Sequence, residues 1–377
     1  MGHVKRSFVG IAALLTLFGS MAAAAPTVAA ETQAGGPAVL VACDAGGDLA
    51  AALAAAPDGT ALRVSGHCIG RFTIDKALDL RGERTGAVLD GGGLGTTLTI
   101  SAGGDAEVSG VAIKGGSGKV TGPAPSTLRG GGVLVLGRLR LRDAEVVQNT
   151  LAASEVSKIS TAEGAGIWNG GHLELVRVRI ADNAARAFDN SGGGLWNSGD
   201  ADIRGSSVKN NVASGYSGGG GGVFNQYSGM LRMRQSVIEA NQASGRTGGG
   251  AGLFNAGMAT LHRTDVVDNI AAGFAVAGGG VRSSGTLNLR RLQLNRNKVS
   301  SEVSGAGGGL ITFGPATLTQ VTISANVVTT LNSNSKPVGG GILARDAGST
   351  QLQLVRTTVS GNSPDNCDPS AICPIAG

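Results

Sequence analysis

Apolar and polar residues alternate in short blocks that recur along most of this 377-residue chain. In eight blocks, two apolar residues flank one polar residue, ten and eight residues before an asparagine. The apolar pairs are Leu139/Leu141, Leu173/Leu175, Ala201/Ile203, Leu231/Met233, Ala259/Leu261, Leu287/Leu289, Ala316/Leu318 and Leu352/Leu354. Alternation with a period of two is typical of a half-buried strand. The chain is therefore predicted to consist of short strands separated by turns.

Two further landmarks recur with these strands. The first is a triplet of small residues followed by an aliphatic residue, as in Gly220-Gly221-Gly222-Val223, and the eight triplets end 28 to 34 residues apart. The second is an aliphatic residue, two further residues and then an asparagine, as at Val208/Asn211. A repeat of this length without a helical period cannot bury its own apolar face, so copies must stack. This predicts an all-β fold, a right-handed parallel β-helix with coils about 4.8 Å apart.

Glycine and asparagine have structural roles in this prediction. Glycine permits a positive φ where the chain turns into each coil. Asparagine tolerates the left-handed region, and its side chain can bond turn backbone. We therefore expect a stacked ladder of asparagines at equivalent turns: Asn149, Asn183, Asn211, Asn241, Asn269, Asn297 and Asn326.

The two ends of the chain depart from the repeat. Residues 1–30 carry Lys5 and Arg6, then a short apolar run and small residues, which is typical of a secretory signal peptide; a transmembrane anchor is the alternative. Residues 31–129 are predicted to form an N-terminal cap and the first coils, with a short helix after Asp48. The eight repeats fill residues 130–362, and residues 363–377 are predicted to cap the other end.

Composition excludes several other classes. Glycine supplies 65 residues, but without the three-residue period and abundant proline of collagen. The hydrophobic fraction of 41% is too high for a disordered chain. After the first 30 residues no apolar run is long enough to span a membrane. We expect a monomer that is secreted or associated with the cell surface.

The four cysteines form two local pairs, Cys43 with Cys68 and Cys367 with Cys373. In an oxidising compartment these pairs favour one disulfide at each end of the mature chain, although four cysteines allow three connectivities. A zinc site is the weaker alternative, because CxxC spacing is missing. No metal or other cofactor is predicted.

The GGG-[VIL] and [VIL]-x-x-N motifs resemble the GGA-[ILV] and FxxN repeats of bacterial polymorphic outer-membrane proteins. They are also similar to repeats of secreted right-handed parallel β-helix proteins in the pectate-lyase-like superfamily. The resemblance covers residues 130–362 strongly and 43–113 more loosely. It implies the fold more than a function. Two features depart from the pattern: no barrel-like region is present, and smaller aliphatic residues replace the Phe of FxxN.

The first candidate binding surface is a basic column at the corner between two strands, seven and six residues before each asparagine. Its members are Arg142, Arg177, Arg204, Arg234, Arg263, Arg290, Arg291 and Arg356. Stacked guanidinium groups repel one another, so a polysaccharide or another polyanion would be a natural partner. The alternative is a solvated corner whose long side chains cover backbone. Nucleic acid is not expected for a secreted chain.

The second candidate is an aromatic column two residues after the triplets, formed by Trp168, Trp196, Phe224 and Phe254. Alternation points these rings outward, where they could stack on sugar rings. The alternative is stacking on one another under neighbouring loops. The next position holds Asn169, Asn197, Asn225 and Asn255, which predict a second turn ladder.

The third candidate is the face where insertions gather between each asparagine and the next triplet. Such a face often binds ligands, although solvated loop is the alternative. It carries Arg186, Phe188, Asp189, Tyr216, Arg246 and Phe274.

Catalysis on this fold requires clustered carboxylates or a calcium site. The nearest clusters are Asp182 with Asp200 and Asp202, and Asp265 with Asp268, while His67, His172 and His262 are scattered. Asp182 and Asp268 are interpreted as turn residues. The sequence thus favours a non-catalytic extracellular protein that binds polysaccharide or another polyanion. The alternatives are a polysaccharide lyase or glycoside hydrolase acting on acidic polysaccharide, and a structural envelope component.

Overall fold

The computed structural model describes residues 38–119, 127–152, 160–345, 352–369 and 372–373. The signal peptide predicted over residues 1–30 lies outside the described residues. Within the described part of the chain, no helix is long and apolar enough to cross a membrane.

An α-helix at Leu49–Ala55 lies at the N-terminal end, after a 3-10 turn at Cys43–Ala45. Asp48 caps the helix, because its carboxylate accepts a hydrogen bond from the Ala51 backbone N–H at 3.0 Å. The helix buries Leu49 and Leu53 against the apolar core. The predicted capping helix is confirmed.

Three parallel sheets make up the rest of the structure. Sheet 1 contains nineteen strands: Val39–Ala42, Thr60–Ile69, Ala77–Asp90, Asp105–Ser109, Val111–Lys114, Arg138–Arg142, Glu145–Val147, His172–Val176, Arg179–Ala181, Asp200–Arg204, Ser207–Lys209, Met230–Arg234, Val237–Glu239, Met258–His262, Asp265–Val267, Thr286–Asn295, Ala316–Ser324, Leu352–Val355 and Thr358–Ser360. Sheet 2 contains eleven strands: Phe72–Ile74, Leu98–Ile100, Val133–Val135, Ile167–Asn169, Leu195–Asn197, Val223–Asn225, Leu253–Asn255, Val281–Ser283, Leu310–Thr312, Ile342–Ala344 and Cys367–Asp368. Sheet 3 contains twelve strands: Ser117–Lys119, Thr127–Arg129, Thr150–Ala152, Thr161–Glu163, Ala184–Arg186, Asp189–Ser191, Val212–Ser214, Ser217–Gly219, Gln242–Gly249, Ile270–Ala277, Lys298–Ala306 and Val327–Thr330.

Each coil visits the three sheets in the same order. In one coil, Asp200–Arg204 and Ser207–Lys209 lie in sheet 1, Val212–Ser214 and Ser217–Gly219 in sheet 3, and Val223–Asn225 in sheet 2. Every strand pairs in parallel with its counterpart one repeat away. The predicted right-handed parallel β-helix is confirmed.

The apolar residues of the alternating pattern fill the interior of the coils. Leu231 and Met233 are at most 1% exposed, whereas Arg232 between them faces outward and is half-buried. Full burial of such a side chain stabilises the fold by roughly 1.5–3 kcal/mol. The repeated pattern therefore produces one continuous core along the helix axis.

Three turns with positive φ recur in each of the eight repeats, at the triplet, before the ladder asparagine and at the corner of sheet 1. The first glycine of each triplet takes one of them, as Gly220 does with a φ of 60°. The third glycine allows close coil stacking, because a Cβ on Gly222 would lie 2.8 Å from the Gly252 carbonyl oxygen. The second turn corrects an expectation: the residue before the ladder asparagine, such as Asn210 with a φ of 54°, adopts the left-handed conformation, and the ladder asparagine does not.

The ladder asparagines are instead joined through their side chains. Asn211 Nδ2 donates to Asn241 Oδ1 at 3.0 Å, and the Asn211 backbone N–H donates to the same oxygen at 3.0 Å. Equivalent side-chain bonds of 2.9–3.0 Å connect Asn149, Asn183, Asn211, Asn241, Asn269, Asn297, Asn326 and Asn362 in succession. The first seven of these asparagines are fully buried, so the ladder satisfies polar groups that would otherwise be costly to bury.

The two predicted disulfides are present, Cys43–Cys68 near the helix and Cys367–Cys373 at the other end. The strand Cys367–Asp368 pairs with Ile342 and Leu343 of the last full coil. Each disulfide therefore lies at one end of the described solenoid.

Candidate functional site: a cationic corner

The corner of sheet 1 consists of two adjacent columns of residues. One column holds the last residue of the first sheet 1 strand, or the equivalent residue where Thr286–Asn295 and Ala316–Ser324 run through the corner. The next residue forms a left-handed turn, with φ between 48° and 58° from Asp143 to Arg356. The single basic column predicted from the sequence is divided between them. Arg142, Arg204, Arg234 and Arg290 lie in the strand column, and Arg177, Arg263, Arg291 and Arg356 lie in the turn column.

Five of these arginines come together in four consecutive coils. We call Arg204, Arg234, Arg263, Arg290 and Arg291 the cationic corner. All five side chains are exposed. Adjacent coils place them about 4.8 Å apart along the axis. Asp202 lies 3.9 Å from Arg234, and it is the only carboxylate within 4.0 Å of any of the five among the described residues.

The arginines at the other end of the basic column are neutralised. Arg177 makes a two-pronged ion pair with Asp143 of the preceding coil, with N···O distances of 2.6 and 2.7 Å. This bond raises the pKa of Arg177, and it holds the pKa of Asp143 below its usual value. Arg142 lies 3.5 Å from Glu107. We call these four residues the paired corner; Arg356 lies two coils beyond Arg290 and Arg291 of the cationic corner.

Buried serines fix the backbone of the cationic corner. Ser206 and Ser236 donate their hydroxyl hydrogens to the carbonyl oxygens of Arg204 and Arg234, both at 2.9 Å. The Ser206 backbone N–H donates in turn to Ser236 Oγ at 3.2 Å and so links two coils. These hydrogen bonds therefore hold the backbone that carries the arginines in place.

His262 lies inside the cationic corner, in the strand column between Arg234 and Arg290. The sequence alone predicts an isolated histidine at this position, because only the strand register reveals its neighbours. Burial lowers its pKa first, and Arg263, Arg290, Arg291 and Arg234 lower it further. Its Nε2 atom is buried and has no hydrogen-bond partner among the described residues. Burial and four guanidinium groups together oppose protonation of His262, so its pKa responds to the local positive potential.

The tryptophans of the aromatic column stack on each other. Trp168 and Trp196 have centroids 5.0 Å apart with an interplanar angle of 9°, and each is only 8% exposed. Both lie outside the main core, as alternation predicts. However, the Arg129 guanidinium lies 5.2 Å from the Trp168 ring, and Glu163 accepts a hydrogen bond from its Nε1 at 3.0 Å. These rings therefore present little open face to a sugar.

The phenylalanines of the column are more open. Phe224 and Phe254 stack with centroids 4.8 Å apart and remain half-buried, and the Arg282 guanidinium lies 5.2 Å from the Phe254 ring. The neighbouring asparagines form a second ladder. Its side-chain bonds run from Asn169 to Asn197, Asn225 and Asn255, at 2.7–2.8 Å, and end on Ser283 at 3.0 Å.

The face predicted to carry loops consists mainly of sheet 3 strands, with Arg186 and Asp189 in two of them. Phe188 and Tyr216 stack with centroids 4.6 Å apart. The Arg246 guanidinium lies 5.9 Å from the Tyr216 ring and 4.9 Å from the Phe274 ring. These side chains form an exposed stack outside the cationic corner.

The aspartates considered for catalysis contact basic side chains or backbone. Asp182 lies 2.8 Å from Arg179, and Asp268 lies 2.7 Å from Arg296. Asp200 lies 2.8 Å from Arg232 and 3.4 Å from His172. Asp265 accepts a hydrogen bond from the Gln293 backbone N–H at 2.9 Å. Asp182 and Asp268 have φ values of 59° and 57°, so both are turn residues. His67 lies 2.8 Å from Asp90. In the described ranges, no three His, Cys, Asp or Glu side chains form a cluster that could hold a metal ion.

Comparisons with protein-family models, curated proteins and solved structures find no match to this chain.

Proposed function

We propose that this protein binds polyanions, in particular acidic polysaccharide, through the cationic corner. The observation that carries the proposal is the set of five exposed arginines in four consecutive coils, with a single carboxylate, Asp202, at 3.9 Å from one of them. The two disulfides favour a secreted or cell-surface location for this activity. A relationship to secreted pectate-lyase-like β-helix proteins is part of the same proposal.

The geometry suits a polymer better than a small ion. The positive charges repeat at the coil spacing of about 4.8 Å, so a flexible chain with regularly spaced anions can contact several of them at once. Guanidinium groups can bond carboxylate or sulfate through two N–H donors. Binding would also relieve the mutual repulsion of the arginines, and salt would weaken it by screening.

The proposal is tested by calorimetric titration of the full chain with polygalacturonate at about 20 mM and 200 mM NaCl. One triple variant removes Arg204, Arg263 and Arg290, each replaced by Ala. The matched control removes three ion-paired arginines, Arg140, Arg142 and Arg177, so both variants lose the same net charge. We expect the first variant to lose at least tenfold in affinity at low salt and the control to lose less than threefold. Equal losses would reduce the proposal to an effect of net charge.

Catalysis is distinguished from binding in the same samples. Incubation with polygalacturonate followed by assays for new reducing ends and for unsaturated products should show no turnover if the protein only binds. Turnover would instead assign a lyase or a hydrolase.

A further inference from the structure

A groove of about 330 Å³ lies where sheet 3 passes into sheet 2. Along each coil, it is separated from the cationic corner by the second strand of sheet 1 and the first part of sheet 3. Its lining includes Asp189, Ser217, Thr247, Phe224, Phe254 and Arg282. It shares no residue with the cationic corner.

The absence of a side chain at Gly219 opens this groove. Gly219 lies in the strand Ser217–Gly219 of sheet 3 and lines the groove. A Cβ on Gly219 would lie 3.1 Å from Cδ2 of Phe254, so larger residues would fill the space in front of the rings. Phe224 and Phe254 line the opposite side of the space. The floor is thus backbone, and one wall is aromatic.

Polar groups line the other wall in register. Asp189, Ser217 and Thr247 occupy equivalent positions in three successive coils. Ser217 Oγ lies 3.3 Å from Thr247 Oγ1. The two hydroxyl groups can donate to a ligand or accept from it, and Asp189 adds an acceptor at one end.

Arg282 lies at the opposite end of the groove, one coil beyond Thr247. Its guanidinium is 5.2 Å from the Phe254 ring and 5.5 Å from the Phe313 ring, which hold it in place. Nη1 donates to the Gly248 carbonyl oxygen at 3.1 Å. No carboxylate lies within 4.0 Å of it in the described part of the chain, and burial lowers the pKa of Arg282.

A half-buried cation with unused N–H donors is energetically unsatisfied, because part of its hydration is lost without a counter-ion. An oxyanion would restore the missing bonds, since a guanidinium binds a carboxylate through two parallel hydrogen bonds. The neighbouring hydroxyls add contacts for ligand hydroxyl groups, and the edges of the phenylalanine rings add apolar contacts. The span of four coils, about 14 Å, allows a ligand of one or two rings.

We propose that this groove binds a small hydroxylated carboxylate, such as a single sugar acid. Its carboxylate contacts Arg282, and its hydroxyl groups contact Ser217 and Thr247. Asp189 accepts from hydroxyl groups at the far end and disfavours a second anionic group there. The groove is therefore selective for ligands with one negative end.

The test compares methyl glucuronide with methyl glucoside, which differ in carrying a carboxylate or a hydroxymethyl group on the same ring. Binding to the full chain is followed by NMR titration. We expect saturable binding of the glucuronide and at least tenfold weaker binding of the glucoside. Equal binding of the two probes, or no saturable binding of the glucuronide, would overturn the proposal.

Two variants identify the groove. Arg282→Leu should fold, because the same column position holds Ile311 and Leu343 in the next two coils, and it should weaken glucuronide binding at least tenfold. Thr247→Val keeps the side-chain shape and should weaken binding about threefold. Arg138→Leu makes the same substitution in the strand Arg138–Arg142, outside both the groove and the cationic corner, and is the control that should leave glucuronide affinity unchanged. Unchanged affinity in Arg282→Leu would contradict the assignment, as would a loss in the control. A monosaccharide cannot span the cationic corner, so failure here leaves the polyanion proposal standing.

Discussion

The paired corner and the cationic corner occupy equivalent positions on one scaffold, yet their electrostatics differ. In the paired corner, Asp143 precedes Arg177 in the turn column, and the two side chains bond across neighbouring coils. In the cationic corner, Gln235 precedes Arg263 in that column, and no carboxylate of the described residues lies within 4.0 Å of the Arg263 guanidinium. The repeat therefore sets where a side chain lies, whereas the residues of the neighbouring coil decide whether its charge is neutralised.

The same asparagine ladder supports the backbone of both corners. Asn183 and Asn241 test this, because each donates to the next ladder asparagine and to a backbone carbonyl, and each accepts two bonds. Replacing either by Ala leaves buried polar groups unsatisfied, and we expect each change to cost about 3 kcal/mol of unfolding free energy. Urea unfolding measures both. Losses that differ by more than about 2 kcal/mol would mean that the frame, and not only the charge, differs between the regions.

Pairing Arg263 with a carboxylate should weaken the binding of polygalacturonate to the cationic corner. Gln235→Asp places a carboxylate in the coil before Arg263, as Asp143 is placed before Arg177. We expect polygalacturonate affinity at low salt to fall about fivefold, equivalent to roughly 1 kcal/mol. Gln235→Asn is the matched control and should bind like the native protein. Equal affinities for the two variants would show that the cationic charge of Arg263 is not used.

The reverse change should create an unpaired cation in the paired corner. Asp143→Asn removes the counter-charge of Arg177 and keeps the side-chain shape. We expect a rise in polygalacturonate affinity of about twofold, corresponding to roughly 0.4 kcal/mol, because the freed charge lies outside the main cluster. A calorimetric titration that shows lower affinity would contradict the electrostatic account.

His262, in the cationic corner, should make the free energy of unfolding depend on pH. Its pKa in the folded protein lies below its unfolded value, so the unfolded chain binds more protons between those two pKa values. Stability should therefore fall as pH decreases from about 6.5 towards the folded pKa, by a small amount. His262→Gln should remove this component of the unfolding curve. Identical pH profiles for the variant and the native protein would remove His262 from the electrostatic description.

The sequence predicts the solenoid well because its determinants are local. Alternation identifies the strands, and the first glycine of each triplet identifies a turn with positive φ, as at Gly220. The positions of the ladder asparagines are predicted correctly, but their backbone conformation is not. Asn211 bonds across coils while Asn210 takes the left-handed turn, which spacing alone does not distinguish.

The candidate site is less predictable, because it depends on register between coils. Arg177 looks equivalent to Arg263 in the sequence, and only the stacking of Asp143 beside Arg177 separates them. The same holds for Trp168, whose exposure is set by Trp196 and Arg129 from neighbouring coils. Residue type and spacing therefore identify the columns of side chains, but not which of these side chains contact partners from neighbouring coils.

The most direct test of the central claim is the pKa of the His262 imidazole, measured by NMR with and without saturating polygalacturonate. Binding at the cationic corner should raise this pKa, because the polymer neutralises the surrounding arginines that hold it down. A His262 pKa that stays the same while the polymer is bound would contradict the claim and place the polyanion elsewhere on the solenoid.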